Sequence, residues 1–308
     1  MPDKTRHSHS ATKKIWAHIG ALVTMIGWGS SFLSTKVLMN DGDFTPVEMF
    51  IYRFSIAYLL LLFLTFKKIF ANNWKDEFQL FLAGLCAGSL YFITENYALK
   101  YTSAGNVSLL ASISPIFITV LMAVIYKKRP GAGVILGSII AFIGVACIIF
   151  SSGEGFEIRP VGDIFAICSA LSWAIYTLLV KRLNPIYNSL FLTRNLFFYG
   201  VLTALPLLLI QHAPYHFLEL FNFHKPAFGL NFLFLVLMCS VAAYLIWNES
   251  MKVLGPVKTN NYLYLQPLVT MVAAYFILDE SIKPLGYVGC ILILGGIYMS
   301  DRLSLKKD

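Results

Sequence analysis

Ten stretches of this 308-residue chain are apolar for long enough to cross a bilayer, at 15–39, 46–66, 78–99, 103–126, 133–150, 162–182, 190–211, 230–252, 258–278 and 284–301. No other feature restricts the fold so strongly. Backbone N–H and C=O groups cannot go unpaired in lipid, so only helices and closed barrels span it. Barrel strands alternate in polarity over about 10 residues, and runs such as Leu59 to Phe66 and Leu205 to Ile210 do not. Helices of about 20 residues fit the hydrocarbon thickness. Composition agrees: 57% of the residues are hydrophobic and 13% are charged, against about 25% charged in a soluble domain. A water-soluble globule is excluded. The expected fold class is all-α, a polytopic membrane protein of ten transmembrane helices.

Residues 1–14 read as a cytoplasmic leader, polar and expected to stay disordered, and 303–308 as a cytoplasmic tail. The first span is too long for the apolar core of a signal peptide. It is interrupted by Trp28, Ser30, Ser31, Ser34 and Lys36, so it is expected to be retained. Loop charge then sets the orientation. With the N-terminus inside, seventeen Lys and Arg fall on the inner side and four on the outer side, while Lys36, Arg53 and Arg194 lie within spans. The net charge of +8 is therefore read as a rim of cations that meets anionic headgroups, not as a nucleic-acid surface. The expected location is the cell inner (cytoplasmic) membrane, multi-pass, with both termini cytoplasmic.

The two halves repeat. A shift of 152 residues superposes Asn96 on Asn248, Lys100 on Lys252, Pro115 on Pro267, Gly137 on Gly289 and Gly144 on Gly296. A shift of 145 pairs Trp28 with Trp173 and Lys36 with Lys181. A shift of 141 pairs Phe50 with Phe191 and Arg53 with Arg194. Each half holds five spans, an odd number, so the second copy enters the membrane upside down. Inverted repeats recur in secondary transporters, with the solute site near the midplane between the copies, although symmetry alone does not prove transport.

Family motifs carry the reading further. Gly27-Trp28-Gly29-Ser30-Ser31-Phe32, Arg53-Phe54 with Ala57, Ala98-Leu99-Lys100-Tyr101-Thr102-Ser103-Ala104, Ser114-Pro115 and the helix of Gly137 and Gly144 resemble the EamA type of the drug/metabolite transporter superfamily. The second copy carries Trp173, Leu265-Gln266-Pro267, Asp279-Glu280 and Gly295-Gly296. One departure is Lys127-Lys128-Arg129, where the family's first repeat commonly has a Gly-Glu pair; Asp279-Glu280 keeps the acidic element in the second. The resemblance implies two EamA-like five-helix repeats, over 15–150 and 162–302. It also implies a carrier of small metabolites, often an exporter of amino acids or related solutes.

Ionisable side chains inside spans are costly unless paired or wetted. Here they are Lys36, Arg53, Glu95, Arg194 and Glu249. Their positions suggest a Lys36–Glu95 pair near the outer end and a Lys181–Glu249 pair near the inner end. Such pairs could act as gate latches or hold a solute's charged ends, and snorkelling to the interface is the plainer alternative. Arg53 and Arg194 are expected to hold the inner scaffold through carbonyls or polar partners. Were several such cations to face the cavity, an anionic solute would be favoured.

Pro115 and Pro267 each remove a backbone hydrogen bond and are candidate gate or hinge residues, with plain packing kinks as the alternative. The hydroxyl stripes of spans 1, 4 and 6 and the Gly84/Gly88 pair are read first as contacts between helices. The solute-binding candidates are Trp28, Lys36, Tyr91, Glu95, Asn96, Ser112, Trp173, Tyr176, Asn248, Glu249, Tyr264 and Gln266. Rings would cover the apolar parts of a solute, and amides and charges would orient its polar ends.

Other signals are weak. Cys86, Cys147, Cys168, Cys239 and Cys290 lie within spans without Cys-x-x-Cys spacing and read as packing residues. His212 and His216, with His224 nearby, lack a clear further ligand for zinc. No phosphate-binding loop, His-Glu-x-x-His helix or nucleophile elbow is present, so no catalytic residue, metal or cofactor is expected. The expected function is secondary transport of a small metabolite by alternating access, in the export direction. An antiporter of an anionic or phosphorylated solute, and a membrane enzyme or receptor without transport, remain as alternatives. The expected partners are a small-molecule solute and the lipid bilayer, without nucleic acid. Proton coupling is one way to drive the carrier, as a monomer or homodimer.

Overall fold

Local chemistry sets the helix boundaries. Thr45 caps α2 (Pro46–Thr65): its hydroxyl accepts from Glu48 N, and the Glu48 carboxylate accepts from Thr45 N at 2.9 Å. This reciprocal capping box satisfies two otherwise orphaned donors. Asn73 caps α3 by accepting from Asp76 N, so α3 starts at Trp74, one turn before the apolar run. The computed structural model describes residues 4–66, 68–102, 104–127, 129–151, 158–210, 216–221, 226–278 and 282–304. Lys128, His212, His224, Asp279 and Glu280 lie outside the described residues, as do the side chains of His7, His9 and Lys36.

The described chain forms ten rods. These are α1 (Lys4–Asp41), α2, α3 (Trp74–Leu85, Cys86–Leu90 and Tyr91–Tyr101), α4 (Ala104–Ala111 and Ser114–Tyr126) and α5 (Ala132–Ser151). They continue with α6 (Pro160–Leu183), α7 (Ser189–Ile210), α8 (Pro226–Phe234, Leu235–Ala242 and Ala243–Leu254), α9 (Pro256–Asn261, Tyr262–Tyr264 and Leu265–Leu278) and α10 (Pro284–Ser304). Eight of them are long and apolar enough to cross a membrane. The other two are α1, whose polar N-terminal turns lengthen it to 38 residues, and α9, which is divided into short pieces. The leader does not stay disordered as expected. The described backbone is already helical from Lys4, because extending an existing helix avoids the costly nucleation step and no Gly or Pro intervenes before Gly20.

The irregular points of the helices match between the two halves. A π-helical turn occupies Cys86–Leu90 in α3 and another Leu235–Ala242 in α8, at positions that the 152-residue shift superposes. The same shift superposes the breaks of α4 and α9. In α4 the second piece begins at Ser114 with Pro115 in its first turn; in α9 it begins at Leu265 just before Pro267. Proline fits the first turn of a helix, where its missing N–H would be an orphan anyway. Near both prolines the α-helix is interrupted, by a turn at Ser112–Ile113 and by a 3-10 turn at Tyr262–Tyr264, while the flanking backbone stays right-handed helical.

Packing shows that the repeats are inverted and interlocked. A side-chain carbon added at Gly137 would lie 2.4 Å from Gly296 O, and one at Gly296 would lie 2.5 Å from Gly137 O. Gly144 and Gly289 are related in the same reciprocal way, at 2.7 and 2.6 Å. Helices α5 and α10 thus run antiparallel with their backbones touching, a self-complementary contact between repeat mates. The first helix of each repeat packs against the other repeat: α1 lies on α8 and α9, and α6 on α3 and α4. Helices α2 and α7 pair across the middle. The face where α1 starts and α10 ends is called the terminal face below, and the opposite one the distal face.

Bringing helices together in lipid depends on close van der Waals contact, which small residues permit. Gly137→Val forces α5 from α10 and is expected to destabilise the protein by about 1–3 kcal/mol, read as a lower midpoint in a thermal melt in detergent. Gly295→Ala, where no heavy atom lies within 4 Å of the added carbon, is the control and leaves that midpoint unchanged.

Candidate functional site

Six rings from five helices form a closed circuit in the middle of the molecule. Trp28 (α1) meets Trp173 (α6) edge-on at 5.7 Å, and Trp173 lies 5.7 Å from Tyr91 (α3). Tyr91 meets Phe92 at 5.4 Å, Phe92 meets Phe54 (α2) at 5.9 Å, and Phe54 meets Tyr244 (α8) at 6.0 Å. Tyr244 closes the circuit on Trp28 at 5.3 Å. Tyr176, Phe197 and Trp247 extend it, at 4.9 Å from Trp173, 5.2 Å from Tyr244 and 5.2 Å from Trp28. Tilted and edge-on contacts at these separations are the favourable arrangements of aromatic quadrupoles.

The irregular backbone orients Trp28. Trp28 Nε1 donates to Cys239 O at 2.8 Å, a carbonyl within the π turn of α8, while Ser172 Oγ donates to Cys86 O at 2.8 Å, within the π turn of α3. A π turn leaves carbonyls without their usual i+4 partner, and in each repeat a side chain from the other repeat's first helix takes one up. Trp173 Nε1 instead donates to Asn260 Oδ1 at 2.9 Å.

Toward the terminal face the core is closed. Tyr176 OH donates to Asn248 Oδ1, and Asn248 Nδ2 donates to Thr193 Oγ1 at 3.0 Å. Tyr176, Thr193, Trp247, Asn248 and Asn260 have no accessible surface, and Trp247 Nε1 is buried without an acceptor among the described residues. Polar contacts then tie the helices together at that face: His18 with Tyr262, Ser189 with Glu249, and Lys258 with Asp301 at 3.0 Å. Toward the distal face Ser30, Ser31, Arg53, Tyr91, Glu95 and Asn96 are only half-buried. Two small cavities border the rings on this side. One of about 10 Å³ is lined by Phe50, Phe54, Gly88, Phe197 and Tyr244, and one of about 20 Å³ by Phe50, Phe92 and Asn96 among others. Each has room for about one water.

The two arginines at equivalent repeat positions have different surroundings. Arg194 is 1% exposed and donates to Thr65 O, Lys68 O and Ile69 O at 2.9, 2.7 and 2.5 Å. It caps the end of α2, as the scaffold expectation holds. Arg53 makes a single side-chain hydrogen bond among the described residues, from Nε to Ser240 Oγ at 2.5 Å, and its guanidinium lies 5.0 Å from the Phe54 ring centre. Arg53 thus finds a polar side chain of the other repeat, Ser240, where Arg194 finds the carbonyls of a chain end. Glu95 accepts from Tyr91 OH at 2.8 Å.

The pairing expected for Lys181 and Glu249 does not form. Lys181 Nζ lies 3.3 Å over the Tyr126 ring and near Met122 Sδ, while Glu249 accepts from Ser189 Oγ at 2.6 Å. Helix α6 faces α4 here, so the ammonium turns to that ring. Lys36 is in α1, and its side chain lies outside the described residues. At the distal face Glu48, fully buried, accepts from His216 N at 2.9 Å, and His216 Nδ1 lies 3.3 Å from it. This residue of the long loop was noted in the sequence only for its spacing.

Of the twelve solute-binding candidates, the structure brings Trp28, Tyr91, Glu95, Trp173, Tyr176 and Asn248 together. Asn96 lines the neighbouring cavity between α2, α3 and α7. Ser112 Oγ turns back to Ser108 O in its own helix, Glu249 sits at the terminal-face end of α8, and Tyr264 is fully buried at the break of α9. Gln266 lies just past that break, its carbonyl accepting from Thr270 Oγ1. The sequence reading missed Phe54, Phe92, Tyr244 and Trp247. Tyr244 stands one turn before Asn248, so the i, i+4 rule applied backward from Asn248 would have found it.

Comparison with known proteins agrees with this architecture. The model of the EamA-like transporter family matches residues 15–150 and 160–300. An uncharacterised transporter of Archaeoglobus fulgidus is 28% identical over 92% of this chain and 96% of its own, and transporter YyaM of Bacillus subtilis is 26% identical over 94% and 96%. A protein of Streptantibioticus cattleyicolor named a probable terminal-alkyne amino-acid exporter is 26% identical over 96% of each chain. One protein of known crystal structure superposes with a TM-score of 0.76 at 17% identity, covering 94% of this chain and 97% of that one, which is a likeness of fold.

The contrast between the arginines has a direct consequence for stability. Arg194→Met leaves three carbonyls without their donor and is expected to lower stability by about 1–3 kcal/mol in a thermal melt. Arg53→Met replaces a charge that is incompletely paired, a change that is often neutral or stabilising, and is expected to leave the melting midpoint unchanged or higher.

Proposed function

Because this chain belongs to the EamA-like transporter family, we propose that it is a secondary carrier that exports a small metabolite, an amino acid or related solute, across the cytoplasmic membrane by alternating access. It has no catalytic role in this reading, and both termini lie in the cytoplasm, as the seventeen-to-four distribution of cations favours. The observation that carries the reading is the aromatic circuit. Its rings come from both repeats, and it lies at mid-depth, where carriers built from inverted repeats hold their solute. The exporter among its relatives supports the direction and the solute class.

Burial on the two sides of the circuit supports the mechanism. Tyr176, Asn248 and Thr193 seal the terminal half, while Arg53, Tyr91 and Glu95 keep accessible surface in the distal half. This corresponds to a state closed to the cytoplasm and accessible from outside. The other state would exchange these roles, since each half contains the same π turn and broken helix. In this reading Pro115 and Pro267, at the breaks of α4 and α9, are the hinges. Trp28, Tyr91, Glu95, Trp173, Tyr176 and Asn248 are the residues that meet solute, and Asn96, Ser112, Glu249, Tyr264 and Gln266 line its route.

Purified protein in liposomes, offered a panel of radiolabelled solutes with and without a pH gradient, is the test. One solute class is expected to equilibrate, and Trp173→Ala is expected to slow it at least about ten-fold, equivalent to about 1.4 kcal/mol. Pro115→Ala and Pro267→Ala are each expected to lower the rate. Failure of every solute class to equilibrate contradicts the proposal.

A further inference from the structure

Resting on the carrier reading above, we propose that Arg53 and Glu95 form a two-point clamp for a zwitterion. Arg53 holds the carboxylate and Glu95 the ammonium of an α-amino acid, whose apolar side chain lies against Trp28 and Trp173. The two charged groups stand over the same aromatic circuit at different points, Arg53 beside Phe54 and Glu95 on the hydroxyl of Tyr91. Phe92 lies 5.9 Å from Phe54 and 5.4 Å from Tyr91, so one run of rings connects the two groups. Among the described residues no ion pair joins them to each other or to a third residue.

The chemistry of each group fits that division. Arg53 engages one hydrogen bond through Nε, and its NH1 and NH2 donors, which fit a carboxylate in a bidentate fork, take no partner among the described residues. Glu95 has one donor, Tyr91 OH, on a group that can accept several. Two opposite charges at membrane depth that do not neutralise each other directly are costly. A ligand bearing both signs removes that cost for both at once. A cation or an anion alone satisfies one and leaves the other.

The same arrangement disfavours a phosphorylated solute. The repeat mate Arg194 is held by the end of α2, and Lys181 lies over Tyr126. A phosphate at Arg53 would therefore meet a single guanidinium, with the carboxylate of Glu95 on the same aromatic circuit. Large apolar side chains are favoured over small ones, since the remaining wall is Trp28, Trp173 and Tyr244.

The experiment measures competition against a transported solute in liposomes, and binding by tryptophan fluorescence in detergent, on the full chain. The probes are L-norleucine, its decarboxylated analogue n-pentylamine and its deaminated analogue hexanoate, with L-phenylalanine, 2-phenylethylamine and 3-phenylpropanoate as a second set. Wild type is expected to bind each zwitterion at least about ten-fold more tightly than its two analogues. Arg53→Gln is expected to weaken the zwitterion to the level of the amine while leaving the amine unchanged. Glu95→Gln is expected to weaken it to the level of the acid. Arg53→Lys, which keeps the charge without the fork, recovers part of the affinity. Size-exclusion profiles matching wild type show that the variants are folded. Transport of a solute with which zwitterion, amine and acid compete equally, or whose preference neither substitution changes, overturns the clamp and leaves the carrier standing. The absence of any transport and any binding overturns both.

Discussion

Four glycines bring the backbones of α5 and α10 into contact, and the rest of the architecture is arranged around that contact. Lipid offers no hydrophobic force between apolar helices, so they associate where small residues let them approach closely. Gly137 meets Gly296, and Gly144 meets Gly289. Under the internal repeat Gly137 corresponds to Gly289 and Gly144 to Gly296, so the pairing is the reciprocal one that an in-plane two-fold axis demands. Once that axis is set, α1 and α6 exchange repeats and α2 pairs with α7. The circuit of rings is assembled from both copies because the copies interlock.

Irregular backbone is tolerated at membrane depth only where it is buried in protein or lines a wet cavity. Here the two π turns and the two broken helices all lie toward the middle of the molecule. The carbonyls of Cys86 and Cys239 take their donors from Ser172 and Trp28, so the departure from ideal helix is what fixes an aromatic side chain in place. The scaffold is nearly symmetric and its side chains are not. Arg194 ends a helix; Arg53, at the equivalent position, stands beside the rings with donors to spare. That difference makes the surroundings of the two equivalent positions chemically distinct.

Much of this was legible in the sequence, for definable reasons. Helix positions follow from length and apolarity, and the upside-down second copy follows from an odd number of spans. The breaks at Pro115 and Pro267 follow from a residue that cannot donate. Trp28 and Trp173, picked as a repeat pair, do meet. The π turns were not legible, since no residue type specifies them and Gly88 has Ser240 as its counterpart. The partners of Lys181 and Glu249 were not legible either. Sequence spacing places two residues at the same depth, but which way each side chain turns depends on the helix packed beside it, and α6 meets α4 where the proposed pair needed α8. The helical leader is not legible because polarity in a sequence points to disorder, although continuation of a formed helix needs no apolar face.

The central claim is that one half of the core is sealed and the other open, and that solute exchanges them. It is tested most directly by single-cysteine labelling in a variant lacking the five native cysteines, with Ser31→Cys on the distal side and Thr193→Cys on the terminal side. Impermeant maleimide applied to the distal face is predicted to label position 31 and spare position 193 without solute. Saturating transported solute is predicted to slow labelling at 31 and make 193 reactive to reagent from the terminal face. Reactivity at both positions from one face, unchanged by solute, would contradict the account.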